Sequence, residues 1–177
     1  LVPLIALHEG DRVLEVGGNT GLMSEALINT YAGVTSRIMD LPAVCALGRK
    51  RRDVPGLEFI TADARKEDSF VAFVGSVDVI LFKSVLHDWP AKDVTDMLTR
   101  AMDILSPGGR IIICERGAYG LEDAAVINAN TLANLVFGQF YRDPEFYHDI
   151  MAVNGFSVTR TSVKLDMMFH ATTGTCP

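Results

Sequence analysis

The stretch LEVGGNTG, residues 14–21, decides how this chain is read. An apolar run leads to an acid at Glu15, and Gly17, Gly18 and Gly21 follow within five positions. Glycine at that density belongs where a backbone must bend tightly or let another group come very close. Outward from the loop, short apolar runs alternate with helical stretches. Runs over 12–16, 35–39, 57–61, 77–82 and 109–115 read as strands, bounded by turn residues and several apolar almost throughout. That pattern suits parallel strands buried on both faces. Between them, helices are expected over 21–31, 42–51, 66–74 and 91–105. Thr20 is placed to cap the first. LSPGGR (105–110) stops the fourth, whose inward stripe is Leu98, Ala101, Met102 and Leu105. Further helices over 121–137 and 144–153 precede two strands over 156–162 and 164–172, joined tightly enough to pair antiparallel. Five βα-type units and a closing hairpin predict an α/β fold: a mostly parallel, seven-stranded sheet with helices on both faces.

A chain of 177 residues, 49% hydrophobic and 21% charged, fits one domain (1–177) with a substantial core. Its net charge of -6 disfavours nucleic acid or an anionic membrane as the main partner and permits a small neutral or cationic ligand. No apolar run reaches membrane-spanning length. Cys45, Cys114 and Cys176 are far apart, odd in number and without Cys-x-x-Cys spacing. They read as reduced thiols in a cytoplasmic setting, and no metal site is expected. There is no signal-peptide pattern. Leu1 opens the chain without an initiator Met, as a piece of something longer would.

In such a sheet ligands bind beyond the carboxyl ends of the strands, where the strand order reverses. Residues 17–21 fall in that crevice. A dinucleotide fingerprint, G-x-G-x-x-G, would set a pyrophosphate on the helix that follows. Here its final glycine is missing and its middle position is Asn19. The spacing fits acid-x-G-x-G-x-G better, the loop that carries S-adenosylmethionine, with Asn19 at the middle glycine. Asn tolerates left-handed backbone, so the loop survives the exchange. A glycine turn serving only strand-to-helix packing is the plain alternative. The second strand ends in Asp40, an acid placed to accept hydrogen bonds from both ribose hydroxyls of an adenosyl ligand. TADA (61–64) puts Asp63 beyond the third strand, where it can meet an adenine amino group. A lone acid after a strand is ordinarily a turn or cap residue. Glu15, Asp40 and Asp63 at three strand ends together point to a ligand.

The segments VGGNTG (16–21), MDLPAV (39–44), TADA (61–64), LFKSVLHDW (81–89), SPGGRIIICE (106–115) and RDPEFYHDIMAVNGF (142–156), in that order, resemble the class I methyltransferase fold. More narrowly, they resemble the small-molecule O-methyltransferase family of plant caffeic-acid and bacterial polyketide-tailoring enzymes. The resemblance implies a Rossmann-like fold, S-adenosyl-L-methionine as cofactor, and methyl transfer to a hydroxyl of a small aromatic or polyketide-like acceptor. It implies His87 as general base. A phenol, with a pKa of about 10, is a poor nucleophile until its proton leaves, and an imidazole near neutrality can take that proton. It implies Glu115 as the acceptor that orients the imidazole. The family's second such Glu stands just before an Arg, where this chain has Tyr141 before Arg142. A phenol cannot act as a carboxylate near pH 7.

The resemblance also implies cofactor contacts by Gly17, Asp40, Leu41, Asp63, Ala64 and Lys83, with Trp89 stacking near the adenine. Glu15, Gly18 and Gly21 complete the cofactor loop. Asp88 is expected to touch the acceptor. Asn130 and Asn134 share a helical face with Phe137 and are expected to wall the acceptor pocket. The family's N-terminal helical region, which dimerises and closes over the acceptor, is expected outside this chain. A homodimer is implied with it and a monomer without it. Basic residues in GRKRR (48–52) suit a helix C-terminus. Two other readings stand beside this one. The first is a cofactor-binding relative with decarboxylase- or hydroxylase-like chemistry, or a binding module, kept open by Tyr141 and Asn19. The second is an NAD-dependent oxidoreductase, disfavoured by the loop spacing.

Overall fold

A computed structural model of the chain describes residues 2–117, 141–164 and 169–177. Central strands that must be buried on both faces need nearly unbroken apolar sequence. Strand β4 (Val77–Lys83) shows it, with Val77, Val79, Ile80, Leu81 and Phe82 all buried. It lies mid-sheet among β1 (Arg12–Val16), β2 (Thr35–Asp40), β3 (Leu57–Thr61), β5 (Leu105–Arg116), β6 (Ser157–Lys164) and β7 (Phe169–Thr175). The spatial order is β3-β2-β1-β4-β5-β7-β6. The first five strands run parallel, while β7 pairs antiparallel with both β5 and β6. This is the seven-stranded sheet expected.

Helices cover both faces. On one, α4 (Ala91–Met102) and α5 (Pro144–Val153) pack Val94, Met97, Leu98, Ala101, Tyr147 and Met151 onto Leu14, Val16, Ile80, Phe82, Ile111 and Ile113. On the other, α1 (Val2–Ile5) and α2 (Leu22–Thr30) bring Ile5 and Leu27 onto Val13, Val79, Leu81 and Ile112. Helix α3 (Pro42–Arg51) lies toward the β3 edge, with Cys45 packed on Ile38 and Phe59. The strand order reverses between β1 and β4, so a crevice opens at the carboxyl ends of those two strands.

Several expectations are corrected. The helix expected over 66–74 is a set of turns ending in one 3-10 turn, Val71–Phe73. Ser69 Oγ and the Lys66 amide both donate to the Asp63 carbonyl, and Gly75, at φ +64, turns away to donate to Ile104 O. Too few residues remain to nucleate an α-helix. Buried Phe70 and Phe73, three apart, suit the tighter coil. Helix α4 ends at Met102, so Leu105 belongs to β5 and not to the helical stripe. It pairs with Val77, and the register then shifts across the Pro-Gly-Gly segment before Val79 meets Arg110. Thr20 does not cap α2. Gly21, at φ +84, precedes the helix, and the Ser24 amide is taken by the carboxylate of Glu15 from β1. The closing strands begin and end a few residues later than expected. The link 165–168 and the expected helix 121–137 lie outside the described residues. No disulfide joins Cys45, Cys114 or Cys176.

Candidate active site

The loops after β1, β2, β3 and β4 converge on the crevice. Gly17 (φ +68) and Asn19 (φ 54) adopt left-handed backbone, so Asn19 carries the conformation expected of a middle glycine. The glycines also answer to packing. A Cβ at Gly17 would lie 2.6 Å from Val85, and one at Gly18 would lie 2.9 Å from both Glu15 and Ile38. The loop's close neighbours are thus the protein's own side chains. The Asn19 amide donates to Asp40 Oδ2 at 2.8 Å and the Leu41 amide to Oδ1 at 2.7 Å. One carboxylate therefore joins two loops and is held at the rim of the crevice.

Two adjoining cavities follow from this arrangement. One, of ≈ 270 Å³, is lined by Asp40, Leu41, Asp63, Ala64, Asp88 and Trp89 among others. The second, of ≈ 530 Å³, is lined by Glu15, Gly17, Gly18 and Lys83 among others. Gly17, Asn19 and Ser84 line both. The structure thus brings together nearly every residue expected at the cofactor. Gly21 lines neither cavity, and a Cβ there would meet Ile38 and Phe59, so it serves the turn into α2.

Glu15 points inward and is 3% exposed. It accepts from Ser24 Oγ at 2.5 Å, and that hydroxyl lies 2.7 Å from Ser36 Oγ. Burial pushes the Glu15 carboxyl up to about 7, against the opposing pull of Ser24 and of the Lys83 charge. Asp63 is already engaged. Arg65 donates Nε to Oδ1 at 2.9 Å and Nη2 to Oδ2 at 2.7 Å, which holds the carboxyl below its ordinary range. The same guanidinium lies 4.3 Å over the Trp89 ring. The sequence reading missed Arg65; its position two residues after the strand-end acid was the available signal.

The fourth loop holds the expected base. After β4 the chain passes through Ser84, at φ 55, into a 3-10 turn, Leu86–Asp88. Glu115, at the end of β5 and fully buried, faces this turn. Its Oε1 accepts the amide hydrogens of Val85 and Leu86, each at 2.7 Å, and its Oε2 lies 2.7 Å from His87 Nδ1. A carboxylate in that place selects the tautomer with a proton on Nδ1 and leaves Nε2 as the basic nitrogen. Burial is the largest influence on His87 and disfavours its charged form. The hydrogen bond and charge of Glu115, with help from Asp88, outweigh it, so His87 holds its proton above the ordinary imidazole range.

Asp88 Oδ1 lies 3.5 Å from His87 Nε2, the ring nitrogen turned away from Glu115. Tyr141 meets the imidazole edge-on, ring centroids 5.6 Å apart, and its hydroxyl takes a 3.4 Å bond from Arg116. At the position of the expected second Glu there is thus an aromatic wall backed by a cation. Behind Glu115, its cross-strand partner His170 lies near Tyr147. Burial lowers the first and raises the second, so both favour their neutral forms behind Glu115. Asn130 and Asn134 lie outside the described residues. Among the described residues no cluster of His, Cys, Asp or Glu is placed to hold a metal ion, and no helix is long and apolar enough to cross a membrane.

Comparison with known proteins gives a consistent picture. The pattern of the O-methyltransferase domain family matches residues 2–157. The chain is 34% identical over 123 residues, 70% of its length, to the grayanic acid biosynthesis cluster O-methyltransferase of Cladonia grayi. It is 30% identical over 155 residues, 85% of its length, to 3-hydroxy-5-methyl-1-naphthoate 3-O-methyltransferase of Streptomyces sahachiroi. The matched regions are 26% and 44% of those relatives, so the chain spans under half of either. In fold it is similar to human N-acetylserotonin methyltransferase, solved in complex with S-adenosylmethionine. That likeness has a TM-score of 0.76 at 21% identity and covers 94% of this chain and 47% of the human one.

Proposed function

The chain belongs to the O-methyltransferase family, and from that premise we propose that it transfers a methyl group from S-adenosylmethionine to a hydroxyl of a small aromatic or polyketide-like molecule, with His87 as general base. The observation that carries this reading is the buried Glu115 carboxylate, 2.7 Å from His87 Nδ1, on a turn whose Val85, Asp88 and Trp89 line the same crevice as Asp40 and Asp63.

The residues present fit the cofactor. Asp40 offers a fixed carboxylate to a ribose diol, and Trp89 offers an aromatic face to a purine. Lys83 sets a positive charge in the second cavity, where an amino acid's carboxylate would be matched, and Glu15 lines the same cavity. When bound, S-adenosylmethionine supplies an electrophilic methyl on a positively charged sulfur. The protein's part is to hold the acceptor and take its proton. His87 Nε2 accepts the hydroxyl proton as the oxygen attacks, and Glu115 stabilises the imidazolium that results. The naphthoate specificity named for the Streptomyces relative supports a fused aromatic acceptor.

The test is turnover. Parent and His87→Ala proteins are incubated with the cofactor and a panel of phenols and hydroxylated polyketides, and products are weighed for the gain of one CH₂. The variant should bind S-adenosylhomocysteine within a few-fold of the parent and lose transfer by roughly 100-fold or more. Equal transfer by the two proteins would remove His87 from its role.

A further inference from the structure

His87 sits on a turn too short to hold itself. The internal bonds of that turn, Asp88 N to Val85 O and Trp89 N to Leu86 O, are both 3.3 Å long. It is entered through a serine in left-handed backbone, a conformation that persists only where the surroundings dictate it. Glu115 takes the two amide hydrogens at the turn's start. The other end is met by a residue the proposed chemistry has not used. Arg142 stands just before Asp143, the residue that opens α5. Its Nη1 donates to Leu86 O at 3.1 Å and its Nη2 to Trp89 O at 2.6 Å. Those carbonyls bracket His87 and Asp88. The guanidinium is itself held, 4.9 Å over the Phe146 ring.

We infer that Arg142 is a positioning residue for His87. Its two donors grip the carbonyls on either side of the base, keep the imidazole against Glu115, and tie the base through Trp89 to the wall of the neighbouring cavity. This rests on the proposed role of His87. A guanidinium suits the task because its donors are fixed in one plane at a set spacing, which an ammonium cannot reproduce. At the His87 turn it is the backbone that Arg142 touches. The ionisable groups facing the imidazole are Glu115 and Arg116 from β5, Asp88 from its own turn and Tyr141 ahead of α5. Loss of Arg142 therefore acts by letting the ring drift from Glu115.

Arg142→Lys, which keeps the charge on a single donor nitrogen, and Arg142→Gln are compared with the parent by two readouts. The first is an NMR titration of labelled histidine, with the His87 signal assigned by its loss in His87→Gln. In the variants His87 should titrate lower than in the parent, while exposed His8 is unmoved. The second is methyl transfer, where a misplacement of about 1 Å costs on the order of 100-fold. kcat should fall by that order while the KM for the cofactor stays within a few-fold. Thermal melts identify the folded variants, and Arg142→Lys is read should Arg142→Gln unfold. A folded variant whose His87 titrates as in the parent, or whose kcat is unchanged, overturns the assignment. If the parent methylates no acceptor, the proposed function fails, yet the titration still decides the role of Arg142.

Discussion

Glu15 shows how a single side chain can serve structure and site together. It caps α2 through the Ser24 amide, bonds the Ser24 hydroxyl, and lines the second cavity. Burial raises its carboxyl to about 7, so across the window from the ordinary carboxylate range to neutrality the folded chain keeps a proton that the unfolded chain has released. Its contribution to stability is whole below that window and is lost as pH rises through it. Glu15→Gln should be indifferent to this change. The parent should lose roughly 3 kcal/mol relative to the variant between pH 4.5 and 8, measured by urea unfolding. A constant gap between the two proteins would show Glu15 ionised throughout. At this scale the strand-end positions of Asp40 and Lys83 were legible from the residues, while the expected roles of His87, Glu115 and Lys83 came from the resemblance that their motifs carry. Arg142 was not legible. Its partners lie 53 and 56 residues away and are backbone carbonyls, which carry no side-chain signature.

Elements were legible where burial or turn residues marked them. Strands β1 and β4 read correctly because their apolar runs answer to burial on both faces, and the half-exposed edge strand β3 because turn residues bound it. The stretch 66–74 did not, since its apolar residues satisfy a helical pattern that local bonds to Asp63 O pre-empt. Helix α3 meets β3 through Gly48, where an added Cβ would fall well inside contact distance of the buried Phe59 ring. Gly48→Ala should therefore destabilise the fold by about 1–3 kcal/mol by overpacking, although alanine is the better helix former. The urea midpoint measures it, and a midpoint at or above the parent's would mean that α3 shifts freely on the sheet. The last turn of the helix adds ties of its own. Arg52 pairs with Glu25 and donates to Thr20 O, anchoring the loop at the crevice to two helices.

The whole molecule is a sheet whose order reverses between β1 and β4, with the acids of the site at that reversal. A ligand that fits there stabilises the folded state alone. At a hundred times its Kd, S-adenosylhomocysteine should add about 2.7 kcal/mol and raise Tm by roughly 5 to 10 °C. NAD at the same concentration should leave Tm unmoved. The opposite outcome, a rise with NAD and none with the homocysteine compound, would mark a dinucleotide site. From the sequence alone came the strand count, the alternation with helices, the left-handed Asn19 and the placing of Glu15, Asp40, Asp63 and His87 near one end of the sheet. These depend on periodicity and turn chemistry, which act over a few neighbouring residues. Only the tertiary structure decided that Glu15 faces inward to cap a helix, that Glu115 takes the Val85 and Leu86 amides as well as His87, and that Arg142 holds the other end of that turn. Each of those is a meeting of polar atoms a few ångströms apart, and where the partner comes from another element nothing in the spacing of residues along the chain specifies it.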